Sequence, residues 1–246
     1  MARVGLMLYS VRAECAEDLE ATLHEVAAMG YEGIELFDLH GHGAGRVRRW
    51  LDENGLEPAG RHVSLEALES RLDALAADAE VLGTPRVVLS WIESPRTPEE
   101  ADAVGARLGR LAEDAAARGL ELGFHNHDGE VQALADGRSF LERLLERPLF
   151  LELDLGWAWW AGADPVELLE RTRGRVPLVH VKDFRRRGER AFCAVGDGNV
   201  GYDRVAPAAE AAGVEWLVVE QDETEGSALD AARRSYAALS GMREPA

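Results

Sequence analysis

Leu178-Val179-His180-Val181-Lys182-Asp183 is a short apolar run that closes on an imidazole, an ammonium and a carboxylate. Upstream, Leu151-Glu152-Leu153-Asp154 also ends on an acid, and downstream Leu217-Val218-Val219-Glu220 ends on another. Short aliphatic runs of this kind read as strands buried on both faces. Working outward, the same reading gives strands at Val4–Tyr9, Gly33–Phe37, Glu57–His62, Arg86–Trp91, Glu121–Asn126, Leu149–Asp154, Pro177–Lys182 and Trp216–Glu220. Between them apolar residues recur at helical spacing, as in Leu19-Leu23-Val26-Ala27 and Leu68-Leu72-Leu75-Ala76-Ala79. Gly30, Gly55, Gly83, Gly119, Gly174 and Gly213 stand where these helices should stop. The unit of helix, glycine and strand recurs every roughly 30 residues, and eight such units make a parallel barrel of about 250. A chain of 246 residues therefore predicts a single (β/α)8 TIM barrel over residues 1–246. An open doubly wound sheet would carry a glycine-rich phosphate loop after its first strand, where this chain has Leu8-Tyr9-Ser10-Val11-Arg12.

Composition narrows the partners. Hydrophobic residues make up 46% and charged residues 29%, the balance of an ordinary globular enzyme. No apolar run approaches the roughly 20 residues of a membrane helix, and the N-terminus shows no signal-peptide pattern. Cys15 and Cys193 are too few for a disulfide framework. A cytoplasmic location without a membrane partner is expected. The net charge of −18 repels phosphate backbones and anionic lipid, so no nucleic-acid partner is expected either. Of the 27 basic residues all but Lys182 are arginine, which singles out that lysine. The oligomeric state stays open, with a homo-oligomer as one outcome.

In a barrel the reactive residues lie at the C-terminal strand ends. Those positions hold Tyr9, Glu35 and Asp38, His62, Trp91 and Glu93, then His125, Asn126, His127 and Glu130. Later strands add Asp154, then His180, Lys182 and Asp183, then Glu220, Gln221 and Asp222. Six of the seven histidines fall at this end, His24 being the exception. Neighbouring strands lie about 4.8 Å apart, so Glu130, Asp154, His180 and Glu220 can converge on one ion. Three carboxylates and one imidazole suit Mn²⁺, with Mg²⁺ or Co²⁺ as alternatives. The competing reading is that acids such as Asp154 and Asp183 cap the helices that follow. Arg185-Arg186-Arg187 reads as a solvated face rather than a phosphate site.

Taken in order, several segments resemble the xylose isomerase-like barrel superfamily, in its sugar phosphate isomerase/epimerase branch. They are Leu8–Arg12, Gly30-Tyr31-Glu32-Gly33-Ile34-Glu35, Phe124-His125-Asn126-His127-Asp128-Gly129-Glu130, Leu153-Asp154-Leu155-Gly156-Trp157, Ala161–Pro165, His180–Asp183, Val195-Gly196-Asp197-Gly198 and Val219-Glu220-Gln221-Asp222. The resemblance spans essentially the whole chain. It implies a divalent metal held by Glu, Asp, His and Glu from the last four strands, here Glu130, Asp154, His180 and Glu220. Some relatives place the glutamate directly before the asparagine, where this chain has His125. Glu130 must then reach back from its loop, and His127 is the competing ligand.

The resemblance further implies a carbohydrate substrate and a metal-dependent isomerase or epimerase that transfers a proton through a metal-stabilised enediolate. Glu130 and Glu220 would be the acid–base pair. Lys182 and His62 would orient or protonate substrate oxygens, unless Lys182 merely pairs with Asp183. Tyr9, Glu35, His125, His127 and Trp157 complete the expected substrate site, with Trp159 and Trp160 beside Trp157 as an apolar wall. A keto-sugar or inosose lyase or dehydratase using the same metal is the alternative. An apurinic-site endonuclease is the remote one, because it needs three metals and a basic DNA face.

Overall fold

The computed structural model describes residues 1–243. Eight parallel strands close a barrel: β1 (Arg3–Met7), β2 (Gly33–Leu36), β3 (Glu57–Val63), β4 (Arg86–Leu89), β5 (Glu121–His125), β6 (Phe150–Asp154), β7 (Leu178–Val181) and, after two short strands, β10 (Trp216–Val219). Each pairs with its sequential neighbour and β10 returns to β1, so no sheet edge is left in the barrel. The expected architecture is observed, with strand limits shifted by a residue or two. The sequence reading missed β8 (Asp183–Phe184) and β9 (Phe192–Cys193), which pair antiparallel in the loop after β7. Two-residue strands leave too little periodicity to see.

Helices cover the outside, and most of the core lies between them and the strands. A smaller apolar cluster of Met7, Ala59, Leu178, Trp216 and Val218 fills the inside of the barrel. Period-two alternation makes each inward row change character toward the mouth. On β7 the row is Leu178, His180, Lys182; on β10 it is Trp216, Val218, Glu220; on β6 it is Phe150, Glu152, Asp154.

The Trp216 indole seals the lower end, and the Arg3 guanidinium lies 3.9 Å from its ring centre. This close filling requires Gly33, because a Cβ there would come within 2.5 Å of the indole and 2.2 Å of Glu57 O. Gly60 does the same service one layer higher, where a Cβ would approach Glu35 Oε1 to 2.9 Å. Apolar residues thus carry the base, and ionisable ones occupy the layers above.

No helix of the described residues is long and apolar enough to cross a membrane.

Candidate active site

Strand register brings the ionisable rows together. Asp154 is level with His180 across β6 and β7, and His125 is level with Glu152 across β5 and β6. Glu35, Glu152, Asp154 and His180 are fully buried, and His62, His125, Lys182 and Glu220 nearly so. Buried charges persist only when paired or neutralised. Here four carboxylates face one ammonium and three imidazoles.

His180 is the centre of this network. Its Nδ1 lies 2.8 Å from Glu220 Oε2, and its Nε2 lies 2.7 Å from Glu35 Oε2 and 3.2 Å from Glu152 Oε2. Burial opposes its charge, but the carboxylates of Glu152 and Glu220 outweigh that and hold its pKa well above the usual value. His62 Nε2 reaches Glu152 Oε2 at 2.6 Å, and its ring stacks parallel to that of His180. Burial lowers the pKa of His62, and that of His125 further still, where the neighbouring His180 adds to the effect. Burial pushes Glu35 up to about 7, with help from the charge on Glu152.

Lys182 bridges the acids at the mouth. Its Nζ stands 2.8 Å from Glu220 Oε2, 3.1 Å from Asp154 Oδ2 and 3.0 Å from each oxygen of Asp222. Burial disfavours the ammonium, but Asp154, Glu220 and Asp222 more than compensate and raise its pKa. Glu220 would be raised by burial alone; Lys182 and His180 hold it well below the usual range. The expected alternative partner, Asp183, is not used. Its carboxylate accepts instead from the backbone N–H of Phe184, Gly196, Gly198 and Val200, because alternation turns it away from Lys182 and toward that loop.

Asp154 serves both readings at once. Its Oδ1 accepts from the Trp157 backbone N–H at 2.7 Å and caps the helix Leu155–Trp160, while buried Oδ2 has only the Lys182 ammonium, 3.1 Å away, as a partner. Ligand atoms of His125, Asp154, His180 and Glu220 all lie within 4.8 Å of one another, and so do those of His62, His125, Glu152 and His180. The buried Glu152 Oε1 without a hydrogen bond, the surplus of carboxylates and the imidazoles among them fit a divalent cation.

Glu130 stands apart from this expected set. Its carboxylate accepts from Ser94 Oγ and from the His127 backbone N–H, the latter at 2.7 Å, and it does not line the cavity. The short 3₁₀ turn Gly129–Val131 points the side chain back into its own loop. His125 takes its place in the cluster, at the position directly before Asn126. His127, the competing ligand, belongs to neither group of ligand atoms; it lines the cavity instead.

Above the cluster lies a cavity of about 760 Å³. Tyr9, His62, His125, His127, Trp157, Lys182 and Glu220 line it, whereas Glu35 lies beneath its floor. Burial, followed by the Lys182 ammonium, holds His127 down to about 4. Trp157 is buried against Phe184 and Phe192, 5.2 and 5.8 Å between ring centres, so it is wall and packing together. Trp159 and Trp160 do not reach the cavity, and neither do Arg185, Arg186 and Arg187. His40 and His42 pack on Phe37 and Trp50 outside it.

The sequence reading missed three residues. Glu152 was legible, since two residues before an inward Asp154 must also point inward. Asp222 was noted at a strand end but not paired with Lys182. Arg190, near Trp157 in the β8–β9 loop, left no signal in the sequence.

Residues 23–240 match the family model described as xylose isomerase-like TIM barrel. The chain is 29% identical to the rhizopine catabolism protein MocC of Rhizobium meliloti, over 91% of this chain and 81% of that one. It is 26% identical to an inosose dehydratase of Geobacillus thermodenitrificans, over 83% and 82% of the two chains. A sugar phosphate isomerase/epimerase structure from Parabacteroides distasonis superposes with a TM-score of 0.83 at 21% identity, covering 96% of this chain and 97% of that one.

Proposed function

The chain belongs to the xylose isomerase-like TIM-barrel family, and from that premise we propose that it is a metal-dependent enzyme moving a proton on the carbon next to the carbonyl of a keto-sugar or keto-cyclitol. One observation carries this reading: on the cavity floor a carboxylate, Glu220, and an ammonium, Lys182, stand side by side next to a cation-fitting cluster. His125, Asp154, His180 and Glu220 would hold the ion. Two imidazoles and two carboxylates suit Mn²⁺ or Co²⁺ better than Mg²⁺, which favours oxygen ligands. Bound there, the ion would draw charge from the substrate oxygens and make the neighbouring C–H acidic.

The protein groups divide the remaining work. Oε2 of Glu220 is occupied by His180 and Lys182, while Oε1 makes no hydrogen bond among the described residues. Oε1 is the atom to take the proton from carbon. Lys182, firmly protonated, donates to a substrate oxygen. His127 stays neutral and cannot compete as a cation. Returning the proton to the adjacent carbon on the same face, while the neighbouring hydroxyl proton passes to the former carbonyl oxygen, gives aldose–ketose isomerisation with one base. Epimerisation by two carboxylates on opposite faces would need Glu130, which lies outside the cavity.

A second reading is elimination. Lys182 can give its proton to a departing hydroxyl, so that water leaves as the carbon proton is lost to Glu220. Relatives named inosose dehydratases favour it. A nuclease is disfavoured by the net charge of −18. The test is incubation of the metal-loaded protein with ketohexoses and inososes in D₂O, followed by mass spectrometry and NMR. Deuterium next to the carbonyl in a product of unchanged composition supports isomerisation, and loss of one water supports elimination. Finding neither deuterium incorporation nor loss of water with any substrate overturns both.

A further inference from the structure

The cavity does not end above the cluster. It continues past the end of β4 and over the helices Leu65–Ser70 and Leu72–Leu82, where Ala67, Arg71, Leu75 and Asp78 line it. Trp91 stands in this extension with 62% of its surface exposed. The large exposed hydrophobic residues of the described chain are Met1, Tyr9, Val81 and Trp91, and two of these four line this one cavity. Tyr9 already has company, from Phe37 edge-on and from Arg12 over its ring at 4.3 Å. Trp91 has no aromatic or cationic partner in the described residues. Arg71 has no acid partner among them, and Arg61 lines the cavity paired with Asp78 at 2.8 Å.

A wet indole beside unspent guanidinium donors and a carboxylate has the chemistry of a carbohydrate subsite. The C–H face of a sugar ring covers the indole, and its hydroxyls meet donors and acceptors at the edge. A volume of about 760 Å³ lies toward the upper end of pockets that enclose drug-sized ligands, and one six-carbon ring would leave the Trp91 half empty. We propose that this half is a second-ring subsite: the substrate is a glycoside whose reacting ring sits over Glu220 and Lys182 and whose second sugar ring stacks on Trp91. This rests on the carbohydrate reading above and names its substrate class.

The experiment is calorimetric titration of the metal-loaded protein with unreactive probes. These are myo-inositol and methyl β-D-glucoside for one ring, cellobiose, maltose and trehalose for two sugar rings, and phenyl β-D-glucoside for an aryl second ring. At least one disaccharide should bind tenfold or more tightly than methyl β-D-glucoside, equivalent to about 1.4 kcal/mol. Trp91→Ala should abolish that preference while leaving one-ring affinity within about twofold, and Trp91→Phe should retain part of it. Single-ring binding with no disaccharide preferred overturns the subsite and leaves the enzymatic reading standing. A gain confined to phenyl β-D-glucoside overturns the sugar assignment, and an equal loss for all probes in Trp91→Ala overturns the stacking role. If no probe binds, the carbohydrate reading and this subsite fall together.

Discussion

His180 Nε2 stands 2.7 Å from Glu35 Oε2, joining β7 to β2 across the inside of the barrel. A carboxylate on the far nitrogen fixes the tautomer of a histidine and makes its other nitrogen a better ligand. Glu35 is therefore expected to tune ion affinity without touching substrate. Glu35→Gln keeps the shape and removes the charge; it should weaken divalent-ion binding by about 10–100-fold. Competition against a chelating dye measures this, and unchanged affinity would count against the role.

The ligand from β5 is decided by two variants. His125→Ala should purify with little metal, as should Asp154→Ala and His180→Ala, each still folded by circular dichroism. Glu130→Gln should keep its metal. It should lose about 1–3 kcal/mol of stability, because the hydrogen bonds that Ser94 and the His127 backbone make to the carboxylate are disturbed. Elemental analysis of the four proteins separates the cases; metal loss in Glu130→Gln with full occupancy in His125→Ala would reverse the assignment.

Removing the lone lysine should hurt in two different ways. Lys182→Met leaves Asp154, Glu220 and Asp222 without their shared cation, and breaking a buried ion pair costs about 3–5 kcal/mol. A divalent ion should restore much of that loss, so urea unfolding with and without Mn²⁺ is the measurement. Equal destabilisation in both conditions would show that the ion does not share these carboxylates. Lys182→Arg should bind metal yet lose turnover, since a planar fork cannot take the place of a compact ammonium.

Acid sensitivity has an identifiable source in His127. Burial and the Lys182 ammonium lower its pKa from 6.5 to about 4, so as the pH falls the unfolded chain takes up this proton before the folded one does. Stability from this group is present above pH 6.5 and is lost as the pH drops toward 4, by up to about 3 kcal/mol. His127→Gln should remove that share of the loss. Urea unfolding at pH 7 and at pH 4.5 should show a smaller difference for the variant than for the wild type; identical differences would refute the assignment.

Much of this is legible in the sequence alone. Runs such as Leu217-Val218-Val219 and stops such as Gly213 carry the barrel, because strand burial and helix termination are local in sequence. Asp154, His180, Lys182 and Glu220 were found together because a strand end is a position that sequence defines. The direction of Glu130 was not legible because a loop side chain aims according to the turn that holds it, and the 3₁₀ turn Gly129–Val131 shows no period. Lys182 found Asp222 rather than Asp183 for a related reason. Alternation along β7 already turns Asp183 away, but that Asp222 meets the ammonium depends on the pairing of β7 with β10, a long-range property.

The Trp216 plug has a consequence for how this barrel can change. Its apolar base is fixed by shape: an indole, a missing Cβ at Gly33 and an arginine lid admit few substitutes. The ionisable rows above it are held by charge balance, and balance has many solutions. Exchanging an acid for an amide, or a histidine for a glutamate, alters the chemistry at the mouth while the floor still closes the cylinder. The molecule resembles a vessel with a cast bottom and a rewritable rim, so new reactions can be installed two or three residues above a structure that need not move.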